Sequence, residues 1–431
     1  MLHQIAPAQL YETESGRLFH AGRIAICTVG LPARGKTHIS VSLCRYLRWL
    51  GVKTAVFHLG DYRRVVLEGQ ELPPDFFFVN TSESTTKLRE NIRDLCRNDM
   101  KKFYEQDNGQ VAIYDAVNPS VKGRKNLVNF FQAHNAQVLF IESICDNEKI
   151  IEANVLSVKI SSPDYVGWQP KDAVKDYLQR INNKIPYFET IKEPELNYVK
   201  IINVNERMIV NNHQAGYLWS RIVFYLMNLH TQYRKLYFAR AGNSEEESSY
   251  KADTPLDLQG QEFSRRLMAT LVAHRKKERQ DALSQGDNSD ERSLSIWTSP
   301  RIKSVQTADA LKEQGYKVRQ RPQLMPLNPG VLEMMTREQV REKYPEEVEK
   351  HKKDPYHHRF PRAESYHDVA VRLEPVILEM ERSYDDLLII AHESVLRVLY
   401  AYLMGVPADV ITIPQISKFS TDQDNLVHPA T

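Results

Sequence analysis

One eight-residue stretch, Gly30-Leu-Pro-Ala-Arg-Gly-Lys-Thr37, constrains the fold of this chain more than any other. It matches Gly-x-x-x-x-Gly-Lys-Ser/Thr, a loop whose backbone amides surround phosphate groups at the start of a helix. The apolar, β-branched run 24–29 predicts a buried strand before the loop. Apolar residues then recur at helical spacing, at Ile39, Leu43, Leu47 and Leu50. Strand, glycine loop and helix together predict a phosphate site, the alternative being a chance glycine-rich turn.

The residue types in and near this loop predict specific ligands. Gly30 and Gly35 allow the backbone to approach phosphate oxygens closely. Lys36 is expected to reach the β- and γ-phosphates of ATP, and the Thr37 hydroxyl is expected to ligate Mg2+. Asp115 ends the apolar segment 110–115. It is a candidate to ligate Mg2+ through water or to accept the proton of a substrate hydroxyl, and the alternative is a cap of the next helix.

Composition and charge are typical of a soluble globular protein. The chain has 431 residues, 42% hydrophobic and 26% charged, with a net charge of +2. This balance favours neither nucleic acid nor a membrane surface as a partner. No run of 18 apolar residues predicts a transmembrane helix, and the start does not resemble a secretory signal. The cysteines lack a Cys-x-x-Cys pair, so we expect no zinc site, no disulfide framework and a cytoplasmic location.

The order of strands and helices predicts an α/β fold with two domains. Apolar strands alternate with helical segments from Ile24, which favours a mainly parallel sheet with ligands at the carboxyl ends of its strands. We predict an N-terminal arm over 1–22, a phosphate-loop kinase domain over 23–230 and a second α/β domain over 231–431. A polar segment, 276–292, is predicted to be a mobile loop, and the last dozen residues are predicted to be a tail.

Other candidate site residues are weaker when taken singly. The basic residues of the first domain are scattered, and each could be a solvated surface charge, although several could converge on an anionic substrate. These residues are Arg63, Arg64, Arg89, Arg124, Lys159 and Arg180. Cys145 is more often a buried small hydrophobe than a reactive thiol. In the second domain Arg240, Lys303, His392 and Arg397 could line a phosphate pocket, but a lone His at a strand end is usually structural.

Several motifs together resemble the bifunctional 6-phosphofructo-2-kinase/fructose-2,6-bisphosphatase family. Besides the loop they are Tyr62-Arg-Arg64, Asp115-Ala-x-Asn118, Glu142-Ser-Ile-Cys145, Ser162-Pro-Asp-Tyr165 and Ser220-Arg-Ile-Val-x-Tyr-Leu-Met-Asn228. The likeness covers nearly the whole chain from Ile24. It implies a phosphate-loop kinase domain that transfers the ATP γ-phosphate to O2 of fructose 6-phosphate. It also implies a following α/β histidine-phosphatase-like domain.

The resemblance assigns kinase roles residue by residue. It implies catalytic positions at Lys36, Asp115, Cys145 and Lys159, and metal positions at Thr37 and Asp115. It implies ATP contacts at Gly30, Leu31, Pro32, Ala33, Arg34, Gly35, Lys36, Thr37, Asn154 and Lys159. It implies fructose 6-phosphate contacts at Arg63, Arg89, Arg124, Lys159 and Arg180. Three positions depart from the family pattern: Val117 stands for a Thr, Gly123 for an Arg next to Arg124, and Lys184 for a Tyr.

The phosphatase-like half departs from the family at its nucleophile. The family's Arg-His-Gly reads Arg240-Ala241-Gly242 here, and a methyl group cannot attack phosphorus. Glu247 stands for an Asn, Lys303 for an Arg and Glu393 for a Gln, and the segment 249–252 replaces a Gly-Arg stretch. The residues implied for the pocket are Arg240, Ala241, Lys303, Glu333, Arg359, His392 and Arg397. The resemblance therefore implies an inactive histidine phosphatase domain.

Three functions follow from these observations. The first is an ATP- and Mg2+-dependent 6-phosphofructo-2-kinase that forms fructose 2,6-bisphosphate, a regulator of glycolysis, and has a degenerate bisphosphatase domain. The second is a catalytically silent regulator that binds nucleotide or sugar phosphate. The third is a bifunctional kinase and bisphosphatase, which Ala241 opposes. A homodimer is left open.

Overall fold

The structure is a computed structural model, and it describes the chain in two compact units. One unit comprises residues 9–231, and the other comprises residues 1–8 together with 232–431. The described residues are 6–8, 22–68, 71–78, 80–148, 150–151, 154–155, 170–211, 216–230, 234–244, 253–284 and 291–412. Among them, no helix is long and apolar enough to cross a membrane. The predicted C-terminal tail lies outside these residues from position 413 onward.

The N-terminal arm predicted over 1–22 is divided in the structure. Residues 6–8 group with the second unit and not with the segment that follows them. Ala8 is buried there, and the Pro7 carbonyl accepts a hydrogen bond of 2.6 Å from the Tyr356 hydroxyl. The arm is mixed in composition and has no clear period, so its sequence did not predict that a carbonyl and one small side chain would anchor it.

The first unit is built on one mixed sheet. Its strands lie in the order β2-β3-β1-β4-β5-β6, and every neighbouring pair is parallel except β5 and β6. The strand predicted over 24–29 and the apolar segment 110–115 are observed as β1 and β3, and β6 is an antiparallel edge strand that the sequence analysis missed. The strands are β1 (Arg23–Val29), β2 (Thr54–His58), β3 (Val111–Asp115), β4 (Ala136–Ile144), β5 (Tyr198–Ile202) and β6 (Arg207–Asn211).

Helices cover both faces of this sheet. They are α1 (Lys36–Trp49), α2 (Leu59–Val66), α3 (Glu83–Glu105), α4 (Val121–Ala133), α5 (Pro170–Asn182) and α6 (Tyr217–Asn228). Apolar residues of α3 and α4, such as Met100 and Phe131, pack on Tyr114 and Phe140 of the sheet. The Ser82 hydroxyl caps α3 by accepting from the Thr85 amide, at 3.3 Å. The carboxyl ends of β1 to β4 lie at one edge, where ligands bind in such sheets.

The second unit has a parallel sheet in the order β7-β10-β8-β9. Its strands are β7 (Leu236–Arg240), β8 (Leu294–Thr298), β9 (Lys317–Gln320) and β10 (Asp386–Ala391). Its helices are α7 (Leu258–Ser284), α8 (Ile302–Thr307), α9 (Asp309–Glu313), α10 (Arg337–Lys343), α11 (Pro345–Lys353), α12 (Tyr366–Arg382), α13 (Glu393–Met404) and α14 (Ala408–Ile411). Both β8 and β10 are buried along their whole length, as their apolar sequences predict.

The prediction of a mobile loop over 276–292 was wrong for its first part. Helix α7 continues through this polar segment to Ser284, and residues 285–290 lie outside the described part of the chain. Lys, Glu, Arg, Gln and Ala are good helix formers, so the segment needs no apolar face to continue a helix. The buried Arg275 also anchors the helix, because its guanidinium donates to Asp386 at 2.6 Å.

Candidate active site

The glycine loop between β1 and α1 has a backbone that only glycine allows at two positions. Gly30 has a φ of +142°, and a Cβ there would lie 2.5 Å from the Ser143 carbonyl oxygen. Gly35 has a φ of +76° and begins α1 in the left-handed conformation. Both positions follow from sequence, since the motif reserves them for glycine. The loop therefore has the close-approaching backbone that cradles phosphates.

Lys36 is buried beside this loop. Its ammonium donates a hydrogen bond of 2.7 Å to the Leu31 carbonyl. Burial, together with the positive charge of Arg34, lowers its pKa to about 8, although Asp115 acts in the opposite direction. A phosphate group would restore the pKa, because it supplies the negative charge that the site lacks. Lys36 is thus positioned as the cation of a phosphate site.

Asp115 and Thr37 are brought together by β3 and α1. The Thr37 hydroxyl donates to Asp115 Oδ2 at 2.8 Å, and the Thr28 hydroxyl donates to Oδ1 at 3.1 Å. His58, at the end of β2, lies with its Nδ1 2.8 Å from the same Oδ2. The sequence analysis did not single out His58, although its place at a strand end next to β3 was a usable signal. Asp115 is held by three side chains, which excludes a simple helix cap as its main role.

The charges of this group suit a divalent cation. Burial alone would raise the pKa of Asp115, but His58, Lys36 and Thr37 outweigh it, so the pKa lies below its usual value. The hydrogen bond to Asp115 raises the pKa of His58. No cluster of three or more His, Cys, Asp or Glu ligands occurs among the described residues. Mg2+ keeps several waters and nucleotide phosphates as ligands, so an ionised Asp115 and the Thr37 hydroxyl fit this ion.

The other predicted nucleotide residues lie around the loop. The Asn154 amide donates to the Ala33 carbonyl at 3.0 Å, which ties the segment after β4 to the loop. The Arg34 guanidinium turns back to the Pro32 carbonyl at 3.1 Å. Cys145 is buried, and its Sγ lies 3.8 Å from the Asn147 carbonyl. Lys159 lies outside the described residues, so its assignment stays a prediction.

Three cations from separate elements converge on the ring of Phe77. The guanidinium carbons of Arg63 and Arg180 lie 5.2 and 4.1 Å from the ring centroid, and the Lys184 ammonium lies 5.6 Å from it. We call Arg63, Phe77, Arg180 and Lys184 the Phe77 cluster. Cations over an aromatic face attract its negative quadrupole, so the ring holds these side chains together despite their repulsion. The cluster therefore concentrates positive charge at one place in the unit, as an anion-binding pocket requires.

Arg89 lies next to this cluster on α3. Its guanidinium donates to the Phe78 carbonyl at 3.1 Å and lies 5.9 Å from the centroid of the Phe76 ring. Asp75 fixes the same segment, because its carboxylate accepts from the Ser82 amide at 2.7 Å. The aromatic run 76–78 was missed in the sequence analysis. Three consecutive Phe residues after two prolines in a polar segment were the available signal.

The assignment of Arg124 to sugar-phosphate binding is corrected by the structure. Its side chain is fully buried, and its Nε and Nη2 donate to Glu193 Oε1 at 3.0 and 2.9 Å. Nη1 donates to the Glu189 carbonyl at 2.9 Å. Consecutive residues on a helix point about 100° apart. Arg124 therefore points into the unit and cannot replace the Arg that the family has at Gly123.

We expect Arg124→Met to destabilise the first unit by about 3–5 kcal/mol, because it leaves Glu193 without its buried partner. The matched control is Lys125→Met, which removes an exposed charge from the next position. Thermal and urea unfolding followed by circular dichroism measure the difference. A selective rise in the Michaelis constant for a sugar phosphate, at unchanged stability, would contradict the structural role.

The second unit brings four of the predicted pocket residues together at the carboxyl ends of β7 and β10. His392 caps α13, and its Nδ1 accepts from the Ser394 amide at 3.2 Å, so a neutral ring carries its proton on Nε2. Part of the His392 side chain is exposed. The protein atoms around it nevertheless desolvate the imidazole, and this, together with the charges of Lys303 and Arg240, lowers the pKa of His392 to about 4. Arg397 adds to this effect.

Glu393 lies between the two arginines of this pocket. Its carboxylate is 3.7 Å from Arg240 Nη1 and also accepts a hydrogen bond from Arg397 Nη2. A phosphate would need the same two guanidinium groups. Ala241 lies beside them, where its amide donates to the Ala391 carbonyl at 3.1 Å. The pocket thus contains an internal carboxylate and, at Ala241, no nucleophilic side chain.

The remaining predicted pocket residues are not joined to this group. Arg359 forms a two-point pair with Asp368 through its Nε, at 2.6 Å, and Nη2. Glu333 is exposed, and no contact among the described residues links it to His392. Glu247 and the segment 249–252 lie outside the described residues.

Two family models match the chain. The model described as 6-phosphofructo-2-kinase matches residues 11–233, which contain the glycine loop and the Phe77 cluster. The model described as histidine phosphatase superfamily, branch 1, matches residues 236–421, which contain His392 and Ala241. The two matches follow one another along the chain in the same order as the two units.

Similar proteins carry both activities in their names. A Saccharomyces cerevisiae protein, named provisionally as 6-phosphofructo-2-kinase/fructose-2,6-bisphosphatase, is 41% identical over 98% of this chain and 84% of its own length. A Homo sapiens 6-phosphofructo-2-kinase/fructose-2,6-bisphosphatase is 36% identical over 89% of this chain and 78% of its own. The Gallus gallus relative of the same name is 37% identical over 88% and 77%.

Proposed function

Because the chain belongs to the 6-phosphofructo-2-kinase/fructose-2,6-bisphosphatase family, we propose that it transfers the γ-phosphate of ATP to O2 of fructose 6-phosphate. The observation that carries this proposal is the buried Lys36 beside the glycine loop, next to a Thr37 hydroxyl that donates to Asp115 at 2.8 Å. The same unit holds a second group of cations, the Phe77 cluster. A kinase needs such a pair of sites to bring donor and acceptor into contact.

The chain's own residues act by positioning and by charge. The loop amides hold the ATP phosphates, and the buried Lys36 places a positive charge at the phosphoryl end. Thr37 and Asp115 would hold Mg2+, which when bound neutralises charge on the β- and γ-phosphates. His58 keeps Asp115 ionised and oriented through its 2.8 Å contact. Catalysis then requires no covalent intermediate on the protein.

The acceptor's 6-phosphate is assigned to the basic residues around Phe76 and Phe77. Arg63 and Arg180 approach the Phe77 ring from α2 and α5, and Arg89 approaches Phe76 from α3. Guanidinium groups bind a phosphate dianion in two-point, charge-assisted contacts. Their approach from three separate helices supports binding of a single compact anion between them.

Replacement of Arg63, Arg89 or Arg180 by Ala is expected to raise the Michaelis constant for fructose 6-phosphate by about 10-fold or more, while that for ATP changes less. Each substitution removes a charge-assisted contact to the sugar phosphate only. The matched control is Arg93→Ala, an exposed residue of the same helix as Arg89. Initial rates at varied concentrations of each substrate separate the two constants. Loss of ATP affinity alone would place the sugar pocket elsewhere.

The test of the proposed function is incubation of the purified chain with Mg2+, ATP and fructose 6-phosphate. The product is identified by 31P and 13C NMR, which distinguishes phosphorylation at O2 from other positions. Binding of both ligands without product would favour a silent regulator.

For the second unit we propose that Ala241 and Glu393 abolish hydrolysis. A cytoplasmic location and a homodimer stay predictions.

A further inference from the structure

The N-terminal segment 6–8 is docked on the second unit through one carbonyl group and two buried residues. Pro7 and Ala8 are both buried there. The Pro7 carbonyl accepts two hydrogen bonds, one of 2.6 Å from the Tyr356 hydroxyl and one of 3.2 Å from His367 Nδ1. A carbonyl oxygen has no proton to donate, so Nδ1 carries the proton of the neutral His367 ring. None of these residues belongs to a site described above.

The surface that receives this segment is built from three packed rings, those of Tyr356, His357 and His367, which we call the Tyr356 site. The ring centroids of Tyr356 and His357 lie 5.0 Å apart, and those of His357 and His367 lie 5.4 Å apart. Burial, with the charge of Asp368, raises the pKa of Tyr356, so its hydroxyl stays a donor at neutral pH. The site thus combines aromatic surface with two donors that meet at one carbonyl.

The Tyr356 site is held in shape by contacts that do not involve the docked segment. The His367 amide donates to the Tyr356 carbonyl at 3.2 Å. The two-point pair of Arg359 with Asp368 joins the segment 354–360 to the first turn of α12. Because these ties remain when residues 6–8 leave, the empty site keeps its form, and binding requires little reorganisation.

The docked sequence, Ala6-Pro7-Ala8, suits such a surface. The proline ring fixes φ and removes the backbone N–H, so the segment is preshaped and has no donor at this position to satisfy. Aromatic-lined sites recognise proline-containing segments in this way. Small side chains and a single carbonyl form a contact of limited strength, which can therefore be released.

The place of the segment in the chain gives its release a consequence. The chain passes between the two units at two points, after residue 8 and after residue 231. The crossing after residue 231 is permanent, since a folded unit lies on each side of it. The crossing after residue 8 exists only while residues 6–8 stay docked on the Tyr356 site.

We propose that residues 6–8 are a releasable latch, and that the Tyr356 site binds proline-containing peptide, with the chain's own N-terminal segment as its resident ligand. Release frees the Tyr356 site and leaves the units connected after residue 231 alone. The proposal does not depend on the kinase function.

A peptide-binding experiment tests whether the site accepts this ligand in trans. The probe is a fluorescent peptide of residues 1–12, and binding is followed by anisotropy. Ala8→Asp places an unpaired carboxylate at a buried position and should expel the segment. The peptide should then bind this full-length variant about 10-fold more tightly than the unmodified chain, in which the docked segment competes at high effective concentration. Ala269→Asp, at an exposed position of α7, is the control and should resemble the unmodified chain.

Two further changes assign the binding to the Tyr356 site. In the Ala8→Asp chain, Tyr356→Phe should weaken peptide binding about 5-fold, because one hydrogen bond is lost. Tyr384→Phe, at an exposed tyrosine of the same unit, should not weaken it. Absence of binding to a folded Ala8→Asp chain, or equal binding to both tyrosine variants, would overturn the proposal.

Thiol labelling tests the latch with the segment in place. Ala8→Cys introduces a small side chain at the buried position, and the four natural cysteines are buried, so their background is slow. The new thiol should react with a maleimide about 10-fold more slowly than the same cysteine in a free peptide of residues 1–12, and Tyr356→Phe should speed its reaction about 5-fold. Labelling as fast as in the free peptide, or at one rate in Tyr356→Phe and Tyr384→Phe, would show that Tyr356 does not hold the segment.

Discussion

Lys36→Ala is expected to reduce the rate of phosphoryl transfer by about 100-fold or more. Lys36 is buried next to the loop, and its ammonium lies 2.7 Å from the Leu31 carbonyl, inside the turn that would surround phosphate. The other basic side chain of the loop, Arg34, is directed to the Pro32 carbonyl. Removal of Lys36 therefore removes the charge that this loop places against the γ-phosphate.

The measurement is the single-turnover rate with Mg2+, ATP and fructose 6-phosphate. Lys101→Ala removes an exposed lysine of α3 in the same unit and serves as the control. Circular dichroism of both variants verifies that they are folded. A folded Lys36→Ala variant with a near-normal rate would show that the phosphoryl group is stabilised elsewhere.

The unmodified chain is expected to release no inorganic phosphate from fructose 2,6-bisphosphate above background. Hydrolysis in the family uses a phosphohistidine, and Ala241 cannot form one. His392 is not a substitute as a nucleophile. Its Nδ1 accepts a hydrogen bond from the Ser394 amide, so the neutral ring carries its proton on Nε2 and neither nitrogen has a free lone pair. Loss of a nucleophile removes several orders of magnitude in rate. The assay is release of phosphate, together with a search for acid-labile label on the protein.

Restoration of the nucleophile by Ala241→His alone is expected to recover little activity. Glu393 would still pair with Arg240 and Arg397 and repel a doubly phosphorylated sugar. The double variant Ala241→His with Glu393→Gln should exceed the single variant by about 10-fold or more, which corresponds to ~1.4 kcal/mol. The matched control is the double variant Ala241→His with Glu379→Gln, since Glu379 lies on α12 of the same unit. Full activity in Ala241→His alone would mean that the rest of the pocket still works.

The sequence predicted the phosphate loop, which is local in the chain, better than the contacts that join distant parts of the chain. The phosphate loop is a local feature, because strand, glycines and helix start are adjacent in the chain and each has its own sequence signal. The strand-end position of Asp115 followed from the period of the apolar residues before it. Neighbouring strand ends were predicted to meet, but His58, the partner of Asp115, was missed. The strand order β2-β3-β1, which brings the two residues together, cannot be read from the sequence.

The correction at Arg124 shows where adjacency misleads. The sequence analysis placed it in the sugar site because it stands next to Gly123, where the family has an Arg. A helix turns the two positions to different sides, and Arg124 became a buried partner of Glu193, 69 positions away. Likewise, the polar segment at 276–284 is a helix although its composition suggested a loop, because helix propensity and one buried anchor at Arg275 suffice.

The sequence by itself determined the α/β class, the strands that precede the phosphate loop and end at Asp115, the phosphate loop and the absence of a histidine at position 241. These properties depend on short-range periodicity and on residue identity. Only the tertiary structure decided that Arg63, Arg180 and Lys184 surround one phenylalanine ring, and that Glu393 lies between two arginines. Such convergence depends on how helices pack on the sheet, and that packing is determined by apolar contacts distributed over the whole unit.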